Sequence, residues 1–248
     1  MATQSGSLPP ALTTAQMRQV DRLMVEAYGI SLLQMMENAG RHLAELARRM
    51  LGGDASRSRI VVLAGAGNNG GGGMVAARHL HNWGAQVQIK LVPGAARLKD
   101  VPARQWLTVR TMGLEAKTAP QLERVDLILD ALIGYGLSGQ PRPETADWIE
   151  RANAARRLIL SLDAPSGLDT TTGVPAQPTI QATATLTLAL PKTGLMAPAA
   201  RPFVGQLYLA DIGVPPELYQ QMGLSVPPLF ALAEIVAVPP GSPAPSLG

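Results

Sequence analysis

Short apolar runs alternate with helix-like segments through the middle of this chain, and this alternation restricts its fold more than any other feature. A run of consecutive apolar residues is typical of a strand that is buried on both faces. Strands separated by helices favour parallel pairing, with the helices covering the sheet. We therefore predict an α/β fold, a Rossmann-like three-layer sandwich with a mostly parallel sheet and helices on both faces. The predicted strands are residues 59–64, 86–92, 126–133, 157–164, 182–190 and 205–213.

Two further helices are predicted ahead of the first strand, within residues 14–52. Thr13 or Thr14 and then Ser31 are suited to N-cap them. We expect these helices to pack on a single domain that spans residues 1–226, because no linker divides that range. The remaining residues, 227–248, are rich in proline and predict a flexible tail.

The composition excludes several classes of protein. The 248 residues include no cysteine, so disulfides and thiol chemistry are excluded. The net charge is only +3 and its basic residues are scattered, so nucleic-acid binding is not expected. No apolar run approaches the roughly 18 residues of a membrane helix, and the N-terminus lacks the pattern of a signal peptide. We expect a cytoplasmic protein that does not contact a membrane.

A glycine-rich stretch, GAGNNGGGGM, follows the first predicted strand at residues 65–74. Gly65, Gly67 and Gly70 match G-x-G-x-x-G between a strand and a helix, which is the context that this motif requires. Such a turn directs backbone N–H groups and a helix N-terminus at phosphate. The same stretch also fits a tight strand-to-helix turn without a ligand.

Two more loops follow predicted strands. GYGLSG (134–139) repeats the glycine spacing, and DAPSGLD (163–169) begins with Asp163. If the strand order is the common 3-2-1-4-5, these loops and the first one meet at a crevice beyond the carboxyl ends of the strands. Asp163 alternatively caps a turn. A dehydrogenase is disfavoured, because no acid before Asp100 follows the second strand to hold a ribose.

Oxygen-bearing side chains occur at the same strand ends. Asp130 lies within the apolar run LILDALIG, where a carboxylate is unfavourable unless it is paired or bound to a cation. Asn69 and Ser166 lie at the ends of two other predicted strands. Oxygen ligands suit hard cations, and carbonyl oxygens can replace the hydration shell of potassium.

Several segments within residues 12–220 together match the motifs of a known family. In order, they are LTTAQMRQVDRLMVEAYGISLLQMMENAG, GAGNNGGGGMVAARHL, DLILDALIGYGLSGQPR, SLDAPSGLDTTTG and LTLALPKTGL. With these motifs the chain resembles the NAD(P)H-hydrate epimerase family, also called the YjeF N-terminal domain. The resemblance implies a nicotinamide nucleotide repair isomerase. It would interconvert the R and S forms of NADH and NADPH hydrated at C6, so that a separate dehydratase, which uses only the S form, can restore the cofactor.

The resemblance also implies roles for individual residues. Asp163 would be the catalytic acid/base, and Asn69, Asp130 and Ser166 would bind a potassium ion. A homodimer is expected as well. The residues implied to contact the hydrated dinucleotide are Asn68, Asn69, Gly70, Gly71, Gly72, Gly134, Tyr135, Gly136, Leu137, Ser138, Gly139, Gln140 and Asp163.

The chain departs from the family pattern at two positions. Gly72 stands where the family usually has aspartate, and Ala66 stands where proline is common. Lys192, in LPKTG, matches the family, although a surface lysine is the simpler expectation.

An alternative is a catalytically lost nucleotide- or RNA-binding module on the same scaffold, similar to the dimerising domains of mRNA-decapping scaffolds. Gly72 mildly favours this alternative. The presence of Asp163, Asn69 and Asp130 favours the enzyme, and the scattered charge disfavours RNA.

Overall fold

The computed structural model describes residues 9–239. In that range seven strands form one sheet, and seven α-helices surround it. The strands are β1 (Arg59–Gly65), β2 (Gln86–Val92), β3 (Leu127–Ala131), β4 (Leu158–Leu162), β5 (Ala184–Leu188), β6 (Gln206–Ala210) and β7 (Ile235–Ala237). The helices are α1 (Thr14–Glu26), α2 (Leu32–Met50), α3 (Asn68–Asn82), α4 (Asp100–Thr111), α5 (Pro143–Ala154), α6 (Arg201–Val204) and α7 (Pro216–Gln221).

The strand order is β2-β1-β3-β4-β5-β6-β7, and every pair is parallel except β6 with β7. The predicted α/β sandwich is therefore confirmed, but the expected order 3-2-1-4-5 is wrong. The chain reverses its direction of travel across the sheet between β1 and β3, which are direct neighbours. Apolar runs show which strands are buried and carry no information about which strands pair. The observed order makes β1, β3 and β4 consecutive neighbours, so their three following loops meet.

Successive residues of β1 serve opposite faces of the sheet, as strand geometry requires. Ile60 and Val62 pack with α2, α3 and α4, whereas Val61 and Leu63 pack with Trp148 and its neighbours on α5. The sheet is thus the middle layer of three. Helices α2 and α3 pack closely, because a Cβ at Gly40 would overlap both the Val75 side chain and the α3 backbone.

Helices α1 and α2 each begin with a capping box, which pairs Thr13 with Gln16 and Ser31 with Gln34. The buried face of α1 carries Met17, Val20 and Met24. These side chains pack against residues that include Ile212 and α7 residues, in an apolar cluster separate from the two sheet faces. Helices α1 and α2 therefore pack against the C-terminal part of the described chain. No helix within residues 9–239 is long and apolar enough to cross a membrane.

The predicted flexible tail contains a strand that the sequence analysis did not anticipate. Ile235–Ala237 pair antiparallel with β6, and the Val238 N–H donates to the Leu207 carbonyl at 2.9 Å. Ile235 and Val238 are buried, so the short apolar run between the prolines covers the edge of the sheet. The boundary predicted at residue 226 is therefore too early. The rest of the predicted tail, residues 240–248, lies outside the described part of the chain.

Candidate active site

A cavity of about 430 Å³ opens where the loops after β1, β3 and β4 meet, with α1 and α2 completing its wall. This volume lies in the range of pockets that hold small molecules. The cavity collects about half of the residues implied to contact substrate: Asn68, Asn69, Gly72, Gly134, Tyr135, Gly136 and Asp163.

The other implied contact residues do not line it. Gly70 and Gly71 are buried behind the loop, where added Cβ atoms would overlap the Gly65 backbone and the Met36 side chain. Leu137, Ser138, Gly139 and Gln140 continue the loop away from the cavity, and the last three are exposed. The Gln140 side chain accepts a hydrogen bond from the Gln177 N–H at 2.9 Å, which ties this loop to the segment after β4.

The glycine-rich stretch forms the turn from β1 into α3. Gly67 is the N-cap of α3 and lines the cavity, and no side chain caps the helix. The first N–H groups of α3 therefore lack side-chain partners at a helix end that carries positive partial charge. Gly70 is required here because only a residue without Cβ fits against the Gly65 carbonyl.

Gly72, where the family resemblance implies aspartate, packs closely against the Leu162 side chain. A Cβ at Gly72 would lie 2.8 Å from Cδ2 of Leu162, which is itself only 1% exposed. Leu162 is the last residue of β4 and also lines the cavity. The apolar side chain of Leu162 thus closes the space that a side chain at position 72 would need.

Asp163 directly follows β4, and its backbone is left-handed at φ 67°. This conformation is uncommon for a residue other than glycine, although aspartate tolerates it better than most. The backbone is fixed there by a hydrogen bond from the Asp163 N–H to the Leu186 carbonyl at 2.7 Å. The Asp163 residue is 3% exposed, and Oδ2 of its carboxyl group accepts a hydrogen bond from the Tyr135 N–H at 2.9 Å.

Lys192 forms an ion pair with Oδ1 of Asp163 and is completely buried. Its ammonium also donates to Oγ1 of Thr187 at 3.2 Å and to the Leu188 carbonyl at 2.9 Å, so all three donors are satisfied. The expectation of a surface lysine is therefore wrong. Lys192 forms a parallel β-bridge with Leu12, so its segment lies inside the fold. The sequence LPKTG alone does not indicate this distant pairing. A buried ammonium is tolerated only when it is paired in this way.

A second carboxyl group, missed by the sequence analysis, reaches the cavity from α1. Oδ2 of Asp21 accepts a hydrogen bond from the Tyr135 hydroxyl at 2.5 Å. Burial raises the pKa of Asp21, the Tyr135 hydrogen bond opposes this rise, and the nearby Asp163 adds to it. Burial also raises the pKa of the Tyr135 hydroxyl. The sequence did contain a signal for this residue. Asp21 lies four residues after Met17, so it falls on the otherwise apolar face of α1.

Asn69 and Asp163 approach each other against the backbone of Gly134. A Cβ at Gly134 would lie 3.0 Å from Oδ2 of Asp163 and 3.1 Å from Oδ1 of Asn69, so this approach depends on glycine. Within residues 9–239, the buried Nδ2 of Asn69 has no hydrogen-bond partner. An unpaired buried donor is unfavourable, which makes Asn69 suited to donate to a bound group.

Asp130 and Ser166 are in contact below the cavity, and Asp130 is fully buried. Oδ2 of Asp130 accepts from the Ser161 hydroxyl at 2.8 Å and the Ser166 N–H at 2.9 Å, and Oδ1 accepts from the Ser166 hydroxyl at 2.5 Å and the Leu132 N–H at 3.3 Å. Burial raises the pKa of Asp130 and the Ser166 hydrogen bonds oppose the rise. Asp130 and Ser166, two of the three implied potassium ligands, are thus hydrogen-bonded to each other.

A family model described as YjeF-related protein N-terminus matches residues 32–194. The chain belongs to this family. It is 42% identical, over 90% of its length, to a protein of Dehalogenimonas lykanthroporepellens named NAD(P)H-hydrate epimerase, and it covers 89% of that protein. A protein of Rhodopirellula baltica with the same name is 34% identical over 88% of this chain and 89% of its own length.

Longer members of the YjeF-related family also match. The bifunctional NAD(P)H-hydrate repair enzyme Nnr of Moorella thermoacetica is 40% identical over 84% of this chain, which spans only 41% of that relative. The crystal structure of the yeast protein ynu0 (YNL200c) superimposes with a TM-score of 0.75, over 92% of this chain and 99% of the yeast chain. At 21% identity this likeness shows the shared fold.

Proposed function

We propose that this protein is an NAD(P)H-hydrate epimerase, an isomerase that interconverts the R and S forms of hydrated NADH and NADPH. The observation that carries the proposal is the buried Asp163 carboxyl group at the cavity wall, paired with Lys192 and held by Tyr135. The match to relatives of that name over nine tenths of the chain supports the same activity.

The cavity has the chemistry that a hydrated dinucleotide requires. The uncapped N-terminus of α3 offers N–H groups to the phosphates. Arg18 and Lys99 also line the cavity and supply positive charge for the same groups. We assign contacts with the nicotinamide half to Asn69, Gly134 and Tyr135, because these residues surround Asp163.

Epimerisation at C6 requires that a hydroxyl group leaves and that water returns from the other face. The lone pair of the ring nitrogen expels the hydroxyl as water once it is protonated, which leaves a cationic ring. Asp163 acts as the acid/base that exchanges a proton with the oxygen at C6. Such a group contributes about 10²–10⁴-fold to a rate. The negative charge of Asp163 also favours the cationic ring beside it.

A potassium ion fits the donor set of Asn69, Asp130 and Ser166, which supply amide, carboxylate and hydroxyl oxygens. Both oxygens of Asp130 already accept two hydrogen bonds each. A cation would therefore replace the hydrogen that Ser166 donates, and that hydroxyl has a second acceptor in the Ile133 carbonyl at 3.3 Å. The ion would supply positive charge beneath the loops that hold the substrate.

The proposed setting of the enzyme includes a separate dehydratase that consumes the S form, in the cytoplasm. We also propose that the protein forms a homodimer.

The test mixes purified protein with R-enriched hydrate of NADH and follows both epimers by chromatography. We expect the conversion to exceed the spontaneous rate, and we expect Asp163→Asn to abolish this excess while its circular dichroism spectrum stays unchanged. Binding of the hydrate without acceleration would instead support the catalytically lost module. Full activity in Asp163→Asn would contradict the role of Asp163.

A further inference from the structure

Two carboxyl groups line the cavity within the described residues, and they come from different elements of the fold. Asp163 follows β4 at the edge of the sheet, whereas Asp21 belongs to α1. Tyr135 connects them, because its N–H donates to Asp163 and its hydroxyl donates to Asp21. The two carboxyl groups are therefore linked through hydrogen bonds to a single residue, Tyr135.

The two carboxyl groups have different partners. Asp163 is paired with the ammonium of Lys192. Asp21 accepts its hydrogen bond from a neutral phenol, and within residues 9–239 its Oδ1 has no hydrogen bond. Burial raises the pKa of Asp21, so it retains its proton to higher pH than an ordinary aspartate. Two carboxyl groups in such different surroundings are suited to opposite roles.

The proposed reaction requires two proton-transfer groups. A hydroxyl that leaves one face of the ring must gain a proton, and the water that adds to the other face must lose one. Asp163 is held in place by the Leu186 carbonyl, Tyr135 and Lys192. A second proton-transfer group, carried by a different element, completes the requirement.

We propose that Asp21 is a second catalytic residue, which protonates the departing C6 hydroxyl while Asp163 accepts the proton of the incoming water. This inference rests on the proposed epimerase function. The O–H bond of Asp21 breaks and its proton joins the C6 oxygen. The C6–O bond then breaks with its electron pair on the departing water, and the ring nitrogen shares its lone pair with C6.

Water next forms the new C6–O bond on the opposite face, and its proton passes to Asp163. The reaction ends with Asp21 ionised and Asp163 protonated. This is the starting state for the reverse direction, in which the two groups exchange roles. Each direction therefore requires one proton shared by the two carboxyl groups.

Charged groups around Asp21 come from several elements, and each bears on this proton. Tyr135 and Lys192 lower the pKa of Asp21, while Asp163 raises it. Arg18, one turn earlier on α1, and Lys99 line the same cavity. Because the Tyr135 hydrogen bond lowers the pKa of Asp21, its removal must raise that pKa further.

The experiment measures kcat/KM for R-to-S conversion of hydrated NADH against pH, after subtraction of the spontaneous rate. The proteins are the wild type, Asp21→Asn, Tyr135→Phe and Glu26→Gln. Glu26→Gln is the matched control, because it removes an exposed carboxylate from the same helix outside the cavity. Thermal melting of each variant reports whether it is folded.

We expect Asp21→Asn to lose about 10²–10⁴-fold in kcat/KM, the range of a general acid. It should also lose the fall in rate that the wild type shows as the pH rises through the pKa of Asp21. Glu26→Gln should match the wild type. Tyr135→Phe should retain this fall but move it to higher pH, a result that does not require Asp21→Asn to fold.

Two results would overturn the inference while leaving the epimerase function in place. The first is a folded Asp21→Asn variant that retains the wild-type rate, or the wild-type fall in rate with rising pH. The second is a fall in rate with rising pH that Tyr135→Phe leaves at the wild-type position. If the wild type itself gives no acceleration, the proposed function fails, and this inference fails with it.

Discussion

Lys192 and Asp163 form an ion pair that is almost completely removed from solvent, with 0% and 3% exposure. The pair links the segment after β5 to the segment after β4, and Tyr135 extends it to the loop after β3. A charged pair at this depth is a weak source of stability, because its desolvation offsets much of its attraction. Asp163 of this pair lines the cavity, as the proposed acid/base role requires.

Lys192→Met should nevertheless destabilise the protein strongly, because it removes only one member of the pair. The substitution keeps a long side chain but leaves the Asp163 carboxylate buried with no cation, which costs about 3–5 kcal/mol. Denaturant unfolding at neutral pH measures the loss. Adding Asp163→Asn to Lys192→Met should recover part of it, because the uncompensated charge is then gone.

Lys117→Met is the matched control, since the Lys117 side chain is 80% exposed and its ion pair with Glu115 is at the surface. A surface pair of this kind contributes about 0–1 kcal/mol. If Lys192→Met and Lys117→Met had the same free energy of unfolding, the buried pair would not be formed in solution.

The sheet and the glycine loops could be predicted from the sequence, because both depend on local patterns. Buried strands such as β1 are marked by consecutive apolar residues, and Gly70 by its place in a spaced motif. Asp163 was predicted as a site residue because it follows a strand. Local patterns of this kind need no knowledge of distant partners.

Other features depend on contacts between distant segments. Lys192 is buried because its segment pairs with Leu12, and Asp21 reaches the cavity because α1 packs over the loop that carries Tyr135. The neighbours of β1 and the strand at 235–237 likewise follow from pairing across the chain. Such pairings have no local signature, so the sequence analysis placed Lys192 at the surface and gave Asp21 no role.

Two glycines of the same motif should respond differently to alanine. A Cβ at Gly70 would overlap the Gly65 carbonyl, which is backbone and cannot move aside without shifting β1. A Cβ at Gly67 meets nothing within 4 Å, and its φ of −94° is open to any residue. We expect Gly70→Ala to lower the melting temperature and Gly67→Ala to leave it near the wild type. Equal melting temperatures would contradict the described turn.

Gly72→Asp restores the aspartate common in the family and should destabilise this chain. The new Cβ would lie 2.8 Å from Leu162 Cδ2, and overpacking of this kind costs about 1–3 kcal/mol. Gly72→Ala separates the Cβ contact from the effect of the carboxylate. In a Leu162→Ala background the added cost of Gly72→Asp should shrink, because the conflicting methyl group is gone. Strictly additive unfolding free energies would show that positions 72 and 162 do not interact.

Potassium should stabilise the folded protein if Asn69, Asp130 and Ser166 bind it. A ligand that binds only the folded state raises the melting temperature with its concentration. We expect a larger rise in potassium chloride than in choline chloride at equal ionic strength, because both salts screen surface charge equally. Ser166→Ala removes one oxygen ligand and should reduce the difference between the salts. Ser138→Ala, in an exposed loop, should preserve it. The same melting temperature for the wild type in both salts would show that no potassium site contributes to the fold, and the Asp130–Ser166 contact would then serve only to join the loops after β3 and β4.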